Sequence, residues 1–329
     1  MDLPNGAKKI VEICAGVKSG ETVLIVTDKN RPFSVASALA AAADTIGAKV
    51  NVLIAPSLQF PGEEPGGIVA AALKASDVVF SATTQTLGHS ASLRAALKGG
   101  TRCLALTGCT EQTLMSGAIE ADFIKLAPLV DFVKNKFDSA KMVHVRARGG
   151  TDIRLDITDR KASTCSGICH NTGEMIGIPD VEVYIAPNEY RTEGKLVVDA
   201  SFSTIGLIKH PVCIIIEKGA ITSIDGNKEA QQLVDLLDST QNPAARVIAE
   251  FAIGLNPSGK IRGNIIEDEG VYGTGHFALG NNLGFGGLNA APIHFDMVCR
   301  KPTIQFDDLI FMEDGRLSHL DKSLQNLLK

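Results

Sequence analysis

Tryptophan is missing from this chain and tyrosine occurs only 3 times, while apolar residues make up 45% and charged residues 21% of its 329 positions. That balance belongs to an ordinary globular protein and excludes a disordered or fibrous one. No apolar run approaches the length of a membrane-spanning helix, and the first residues, Met1-Asp2-Leu3-Pro4-Asn5-Gly6, lack the apolar core of a secretory signal. An excess of basic charge is lacking too. With a formal net charge of −5 the chain has no broad field for nucleic acid or anionic lipid, so neither is expected as a partner. The 7 cysteines are odd in number and scattered, which argues against a disulfide framework and for reduced thiols in a cytoplasm.

Several catalytic signatures are absent as well. No Walker-type phosphate loop occurs, no Gly-x-Gly-x-x-Gly follows the first expected strand, and no Gly-x-Ser-x-Gly elbow is present. Cys165-x-x-x-Cys169-His170 has the wrong spacing for a zinc ribbon or finger and is read as loop cysteines without a special role. His144, His170 and His210 are isolated; of the isolated histidines, only His89 falls on a candidate site loop.

What is present divides into two patterns. From Thr22 to Leu106, short β-branched runs (22–26, 49–54, 78–81, 103–106) alternate with helical stretches (34–46, 68–75, 91–98). Such alternation predicts parallel βαβ units with helices on both faces of the sheet. Ligands of these sheets sit beyond the C-terminal strand ends, here at Thr83, Thr84, Thr86, His89, Thr107, Gly108 and Thr110. After Ala140 the pattern changes to alternating strands, with a hairpin across Gly149-Gly150, further strands near 181–185, 195–198, 213–217 and 220–223, and helices at 228–237 and 243–251. The expectation is a Rossmann-like α/β domain over residues 1–140, followed by a largely antiparallel α+β domain over 141–329.

The second domain holds the chemistry. In Pro292-Ile293-His294-Phe295-Asp296-Met297-Val298 a histidine and a carboxylate two apart leave one face of a strand, as two ligands of one divalent metal do. His276, in a glycine-dense stretch from Gly273 to Gly287, completes a two-His, one-carboxylate set. A hydrogen-bonded structural pair and a flexible glycine loop are the plain alternatives. Glu250 lies near the end of the expected apolar helix, where Arg246 at the (i, i+4) spacing offers it a salt bridge. Glu182 sits inside Val181-Glu182-Val183-Tyr184-Ile185, and strand alternation alone reads it as solvent-facing.

Four segments resemble the aminopeptidase T family of metallopeptidases: Asn-Pro-Ala-Ala-Arg-Val-Ile-Ala-Glu-Phe-Ala-Ile-Gly-Leu-Asn-Pro (242–257), Glu267-Asp268-Glu269, Gly-Thr-Gly-His-Phe-Ala-Leu-Gly (273–280) and Pro-Ile-His-Phe-Asp (292–296). The likeness is looser in the α/β half, where Thr83-Thr84 and Leu87-Gly88-His89 through Arg94 resemble the family's strand-end loop. The resemblance implies a metal-ligand set of Glu182, Glu250, His276, His294 and Asp296. It implies a homodimer acting on a small peptide, as a hydrolase of N-terminal peptide bonds. Three carboxylates balance two divalent ions (Zn, Co or Mn) bridged by hydroxide, with Glu182 or Glu250 shuttling the proton. One departure stands out: the peptidases' functional tyrosine, seven residues after the isolated histidine, is Leu283 here, and Tyr272 is no obvious substitute. The family's relatives include ring-cleaving dioxygenases of dihydroxypyridines, with one Fe(II) on two histidines and an aspartate, for which His276, His294 and Asp296 are the counterparts. A small-molecule binding module with a purely structural metal is the non-enzymatic alternative; carboxylate-rich ligands speak for an open site instead.

Overall fold

A computed structural model describes residues 1–59, 61–88 and 90–328. The chain forms two compact units, the first Met1–Ile124 with Cys165–Asp180, the second Lys125–Thr164 with Val181–Lys329. Architecture is α/β in the first and largely antiparallel α+β in the second, as the strand and helix patterns predict. The single change expected near residue 140 is not where the units divide. The first unit's sheet recruits a strand from beyond that point, Met175–Gly177, parallel to Arg102–Ala105. Three residues carry too little pattern to announce a strand.

The first unit's sheet runs Lys49–Ala55, Thr22–Asp28, Val78–Ala82, Arg102–Ala105, Met175–Gly177, all parallel. Thr22–Asp28 and Val78–Ala82 are buried along almost their whole length, as inner strands covered on both faces must be. The cluster on one side joins Leu24, Val26 and Val79 to Val69 and Leu73 of helix Gly67–Lys74 and to Leu93 and Ala96 of helix Ala91–Lys98. Of the expected strand-end loop, His89 lies outside the described residues. Thr84 is there, and its N–H and hydroxyl both donate to Asp28, at 2.6 and 2.8 Å.

Arg102 locks this unit from below. Its guanidinium grips Glu21 with two bonds of 2.8 and 2.7 Å and donates a third, of 3.0 Å, to the Ala15 carbonyl. Arg102→Ala should therefore cost about 3 kcal/mol, the low end for breaking a buried pair because Glu21 is partly wetted. The check is the urea midpoint, which an unimportant pair would leave unmoved.

In the second unit one antiparallel sheet runs Ala220–Asp225, Val212–Glu217, Glu193–Val198, Asp152–Asp156, Met142–Arg146, Thr303–Phe306, Leu309–Glu313, Arg316–Leu317. The expected hairpin is its Met142–Arg146/Asp152–Asp156 pair. A second sheet contains, in order, Gly206–Leu207, Ser201–Phe202, His294–Arg300, Thr274–Gly280, Ile248–Gly254 and Glu182–Ile185. A chain of phenylalanine rings connects the two: Phe277 to Phe251 at 5.2 Å, Phe251 to Phe137 at 5.8 Å, Phe137 to Phe306 at 4.8 Å, and Phe306 to Phe311 at 5.3 Å.

The helix expected over residues 243–251 is not formed. Asn242 does cap Ala244, but the helical segment is a single 3-10 turn, Pro243–Arg246, and the chain then extends as strand Ile248–Gly254. Every residue of that strand is buried, so both its faces are covered and its apolar run reads like that of a buried helix. Arg246 pairs with Asp238 at 2.7 Å, leaving Glu250 to other partners. Among the described residues, no helix is long and apolar enough to cross a membrane.

Candidate metal centre

Strand alternation explains how the site is laid out. On Ile248–Gly254, Thr274–Gly280 and His294–Arg300 each candidate ligand adjoins a phenylalanine: Glu250-Phe251, His276-Phe277, His294-Phe295-Asp296. Successive side chains point to opposite faces, so the ligands share one face while the phenylalanines pack into the core behind them. Register places Ala252 opposite both His276 and Tyr184, and Ala278 opposite both Glu250 and Asp296. The floor between the ligands is thus made of methyl groups.

All five residues read from the sequence converge. Nε2 of His276 lies 3.3 Å from Glu182 and 3.5 Å from Glu250, and Nε2 of His294 lies 3.1 Å from Glu250 and 3.2 Å from Asp296. Glu182 is buried, not solvent-facing, since its strand is covered on the ligand face as well. Three triplets bring donor atoms close enough for one cation: Glu182, Glu250 and His276; Glu250, His294 and Asp296; Glu269, His276 and Asp296. Each has one histidine and two carboxylates, so among the described residues the simple two-His, one-carboxylate triplet is not what forms. Cys165, Cys169 and His170 contribute to none of them: both thiols are buried, and His170 contacts the Ile13 carbonyl.

Glu269 was not singled out as a ligand by sequence reasoning. It caps the short helix Ile265–Asp268 and enters beside Gly254, where a Cβ would stand 2.5 Å from the Glu269 carbonyl oxygen. Only a glycine admits that approach. The clue available in sequence was the acidic run Glu267-Asp268-Glu269, whose first two members serve the backbone. Asp268 accepts from Arg262 and Gly263 N–H at 2.6 and 2.8 Å, and Glu267 from Lys260 N–H at 3.3 Å. Also unforeseen were Ser203, whose hydroxyl donates to Asp296 at 3.0 Å, and Asn281, whose carbonyl holds Nδ1 of His294 at 2.8 Å. With Nδ1–H donated there, the neutral ring turns its lone pair on Nε2 toward the carboxylates, the outer-sphere arrangement of a metal-ligating histidine. Tyr272 is structural, its hydroxyl accepting from Leu317 N–H at 3.0 Å.

The electrostatics fit a cation. Burial opposes charge on His276, but Glu182 and Glu250 outweigh it and raise the imidazole to about 9. Burial opposes charge on His294 too, and Asp296 and Glu250 raise it well above its usual value. Burial pushes Asp296 up, yet His294 prevails and holds it down at about 2. Glu269 is raised well above its usual value by burial and by Asp296, Glu182 and Glu250, which favours its protonated form. Protons therefore do in the cation-free protein what a divalent ion does in a loaded one. Nδ1 of His276 has no hydrogen-bond partner, so that ring lacks the outer anchor that Asn281 gives His294. The residues present can hold a divalent cation.

Loading a divalent cation near pH 7.5 should accordingly expel protons from His276 and His294. Affinity should climb with pH until His276 is neutral, near 9, and level off above. Calorimetry in two buffers of different ionisation enthalpy measures the release; identical heats in both would show that no proton leaves.

A mixed-sheet fold with a buried imidazole–carboxylate cluster can hold a metal, and comparison narrows the class of protein that carries it. The family model described as NicX: 2,5-dihydroxypyridine 5,6-dioxygenase matches residues 2–319, and the chain belongs to that family. A 2,5-dihydroxypyridine 5,6-dioxygenase from Pseudomonas putida KT2440 is 28% identical over 249 residues, covering 72% of this chain and 69% of its own. Two solved structures share the fold. The 2,5-dihydroxypyridine dioxygenase from Pseudomonas putida KT2440 has a TM-score of 0.83 at 24% identity, with 98% of each chain covered. AmpT from Thermus thermophilus has 0.71 at 15% identity, with 96% of this chain and 98% of its own covered. The chain is an enzyme, but the peptide-hydrolase expectation is overturned. Its support reduces to the likeness to AmpT, which at that identity is a likeness of fold, whereas the family match and the Pseudomonas relative both speak for a dioxygenase. Aminopeptidase, hydrolase and metalloprotease are not descriptions of this protein.

Proposed function

We propose that the chain is a ring-cleaving dioxygenase that inserts both atoms of O2 into a dihydroxylated pyridine, using one Fe(II). The family match over residues 2–319 carries this reading, and the buried imidazole–carboxylate cluster is consistent with it. Glu250, His294 and Asp296 would hold the ion, with Glu182, His276 and Glu269 completing its surroundings. Fe(II) in such a site supplies the one-electron chemistry that lets O2 react with an electron-rich ring. The chain's own residues handle protons and shape. Glu269, whose surroundings favour its protonated form, would donate to a developing oxyanion, and Glu182, beside Nε2 of His276, would take up a proton from a ring hydroxyl. The homodimer expected from the resemblance belongs to the same proposal and is checked by light scattering.

The test is anaerobic loading with Fe(II), then addition of 2,5-dihydroxypyridine and O2. Expected are equimolar O2 uptake, loss of the ring's ultraviolet absorbance and, with labelled O2, both heavy oxygens in the product. An iron-loaded protein that leaves ring and O2 unchanged overturns the reading.

A further inference from the structure

Between strands Thr274–Gly280 and His294–Arg300 the chain makes an excursion whose neck is tied twice. Asn282 N–H donates to the Asn289 carbonyl at 3.1 Å, and Asn289 N–H donates to the Asn282 side-chain oxygen at 2.8 Å. A half-buried carboxylate from elsewhere holds this neck. Glu189 accepts from the Asn282 side-chain amide at 3.0 Å and from Leu288 N–H at 2.6 Å, while its other oxygen pairs with Arg160 at 2.5 Å. Arg160 also donates to the Gly286 carbonyl. The excursion contains the turn Leu283–Phe285, and its side chains sort by position. Leu283 and Leu288 are 54% and 78% exposed, whereas half-buried Phe285 lies against His294, with ring centroids 5.8 Å apart at 89°. Behind it stands Tyr184, 5.3 Å away at 77°, on the same face of its strand as Glu182 because it follows by two residues.

We propose that Phe285, backed by Tyr184, is the aromatic face that selects a flat, metal-chelating ring, and that Glu189 is the positioning residue that holds it beside His294. The turn where the peptidases carry a tyrosine offers here a leucine turned to solvent and, two residues on, a ring without a hydroxyl. It gives nothing to a carbonyl oxygen and a large apolar edge and face to a planar ligand. Offset and edge-on ring contacts at 4.5–7 Å add about 0.5–1.5 kcal/mol beyond buried area, up to roughly tenfold in affinity. The substrate class rests on the ring-cleavage reading; the aromatic selectivity itself does not require turnover.

The test compares two chelators on anaerobic Fe(II)-loaded protein, 4-nitrocatechol, which has a ring, and acetohydroxamate, which has none. Phe285→Leu keeps apolar bulk and should bind 4-nitrocatechol about tenfold more weakly, with acetohydroxamate within about twofold of wild type; Phe285→Tyr should restore the difference. Glu189→Ala should lose the same discrimination at unchanged iron content, and Glu189→Gln, which keeps an acceptor for Asn282 and Leu288, should recover part of it. Equal weakening of both chelators in Phe285→Leu, or no change in either, overturns the proposal. Wild-type protein that discriminates as expected yet leaves 2,5-dihydroxypyridine intact under O2 defeats the dioxygenase reading alone.

Discussion

Replacing His294 with alanine is expected to lower iron affinity by a hundredfold or more and to abolish O2 uptake with 2,5-dihydroxypyridine. The scale follows from metal sites in general, where removing merely an outer-sphere partner of a ligand costs about 10–100-fold. His294 is tied into the cluster more tightly than that. Its Nε2 lies 3.1 Å from Glu250 and 3.2 Å from Asp296, while Asn281 fixes the ring through Nδ1. Without the imidazole, Asp296 loses its nearest cationic partner and Glu250 keeps only His276, so the cation-free variant should also lose stability. That loss should be largest between the ordinary values of 3.8 for an aspartate and 6.5 for a histidine, shrink on acidification toward about 2 as Asp296 takes up its proton, and shrink at high pH as His294 gives its proton up. Iron per chain after gel filtration, together with an oxygen electrode, gives the answer. A variant that keeps both iron and activity would remove His294 from the site.

Phe251→Ala should be the most damaging change outside the ligands. Phe251 is fully buried and touches Phe277 on the neighbouring strand and Phe137 of the helix Phe123–Ser139. Truncating a phenylalanine so placed costs about 3–5 kcal/mol, part lost transfer energy and part the cavity left behind. With about 2–4 °C of melting temperature per kcal/mol in a domain of this size, the midpoint should fall by about 10 °C. Since Phe251 lies between Glu250 and Ala252, iron binding should weaken too, although the residue itself faces away from the cluster. Phe251→Leu, which refills most of the volume, should recover most of both losses. Scanning calorimetry and iron content on the same samples separate the effects; a large fall in stability with iron affinity untouched would mean that strand and site are not coupled.

Much of this was legible in the amino-acid order, for identifiable reasons. The parallel βαβ pattern of the first unit shows because short β-branched runs such as Thr22–Asp28 and Val78–Ala82 alternate with helix-length stretches such as Phe33–Ile46. His294 and Asp296 show because an alternating strand places them together without help from the rest of the fold. Glu250 was visible as a charge in an apolar run, but its strand was taken for a helix, since burial on both faces erases the alternation that separates the two. Glu182 was misread as exposed for the same reason until the family resemblance claimed it. Glu269 and the Glu189–Arg160 anchor were out of reach, because each acts through a partner remote in sequence: Gly254 for the first, the neck at Asn282 and Asn289 for the second. Chemistry was the least legible of all. The residues suit hydrolysis as well as oxygenation, and the family match over residues 2–319 and the Pseudomonas relative are what speak for the second.

The back-to-back arrangement of ligands and phenylalanines restricts how this protein can change. A slip of one residue in Ile248–Gly254, Thr274–Gly280 or His294–Arg300 would turn a phenylalanine into the metal site and a carboxylate or imidazole into the core, so site and core would be lost together. Insertions and deletions are therefore barred from these three strands and are tolerable only in the connections between them, such as residues 281–293. New substrates can arise by rewriting that connection, whereas the cation site is inherited with the sheet.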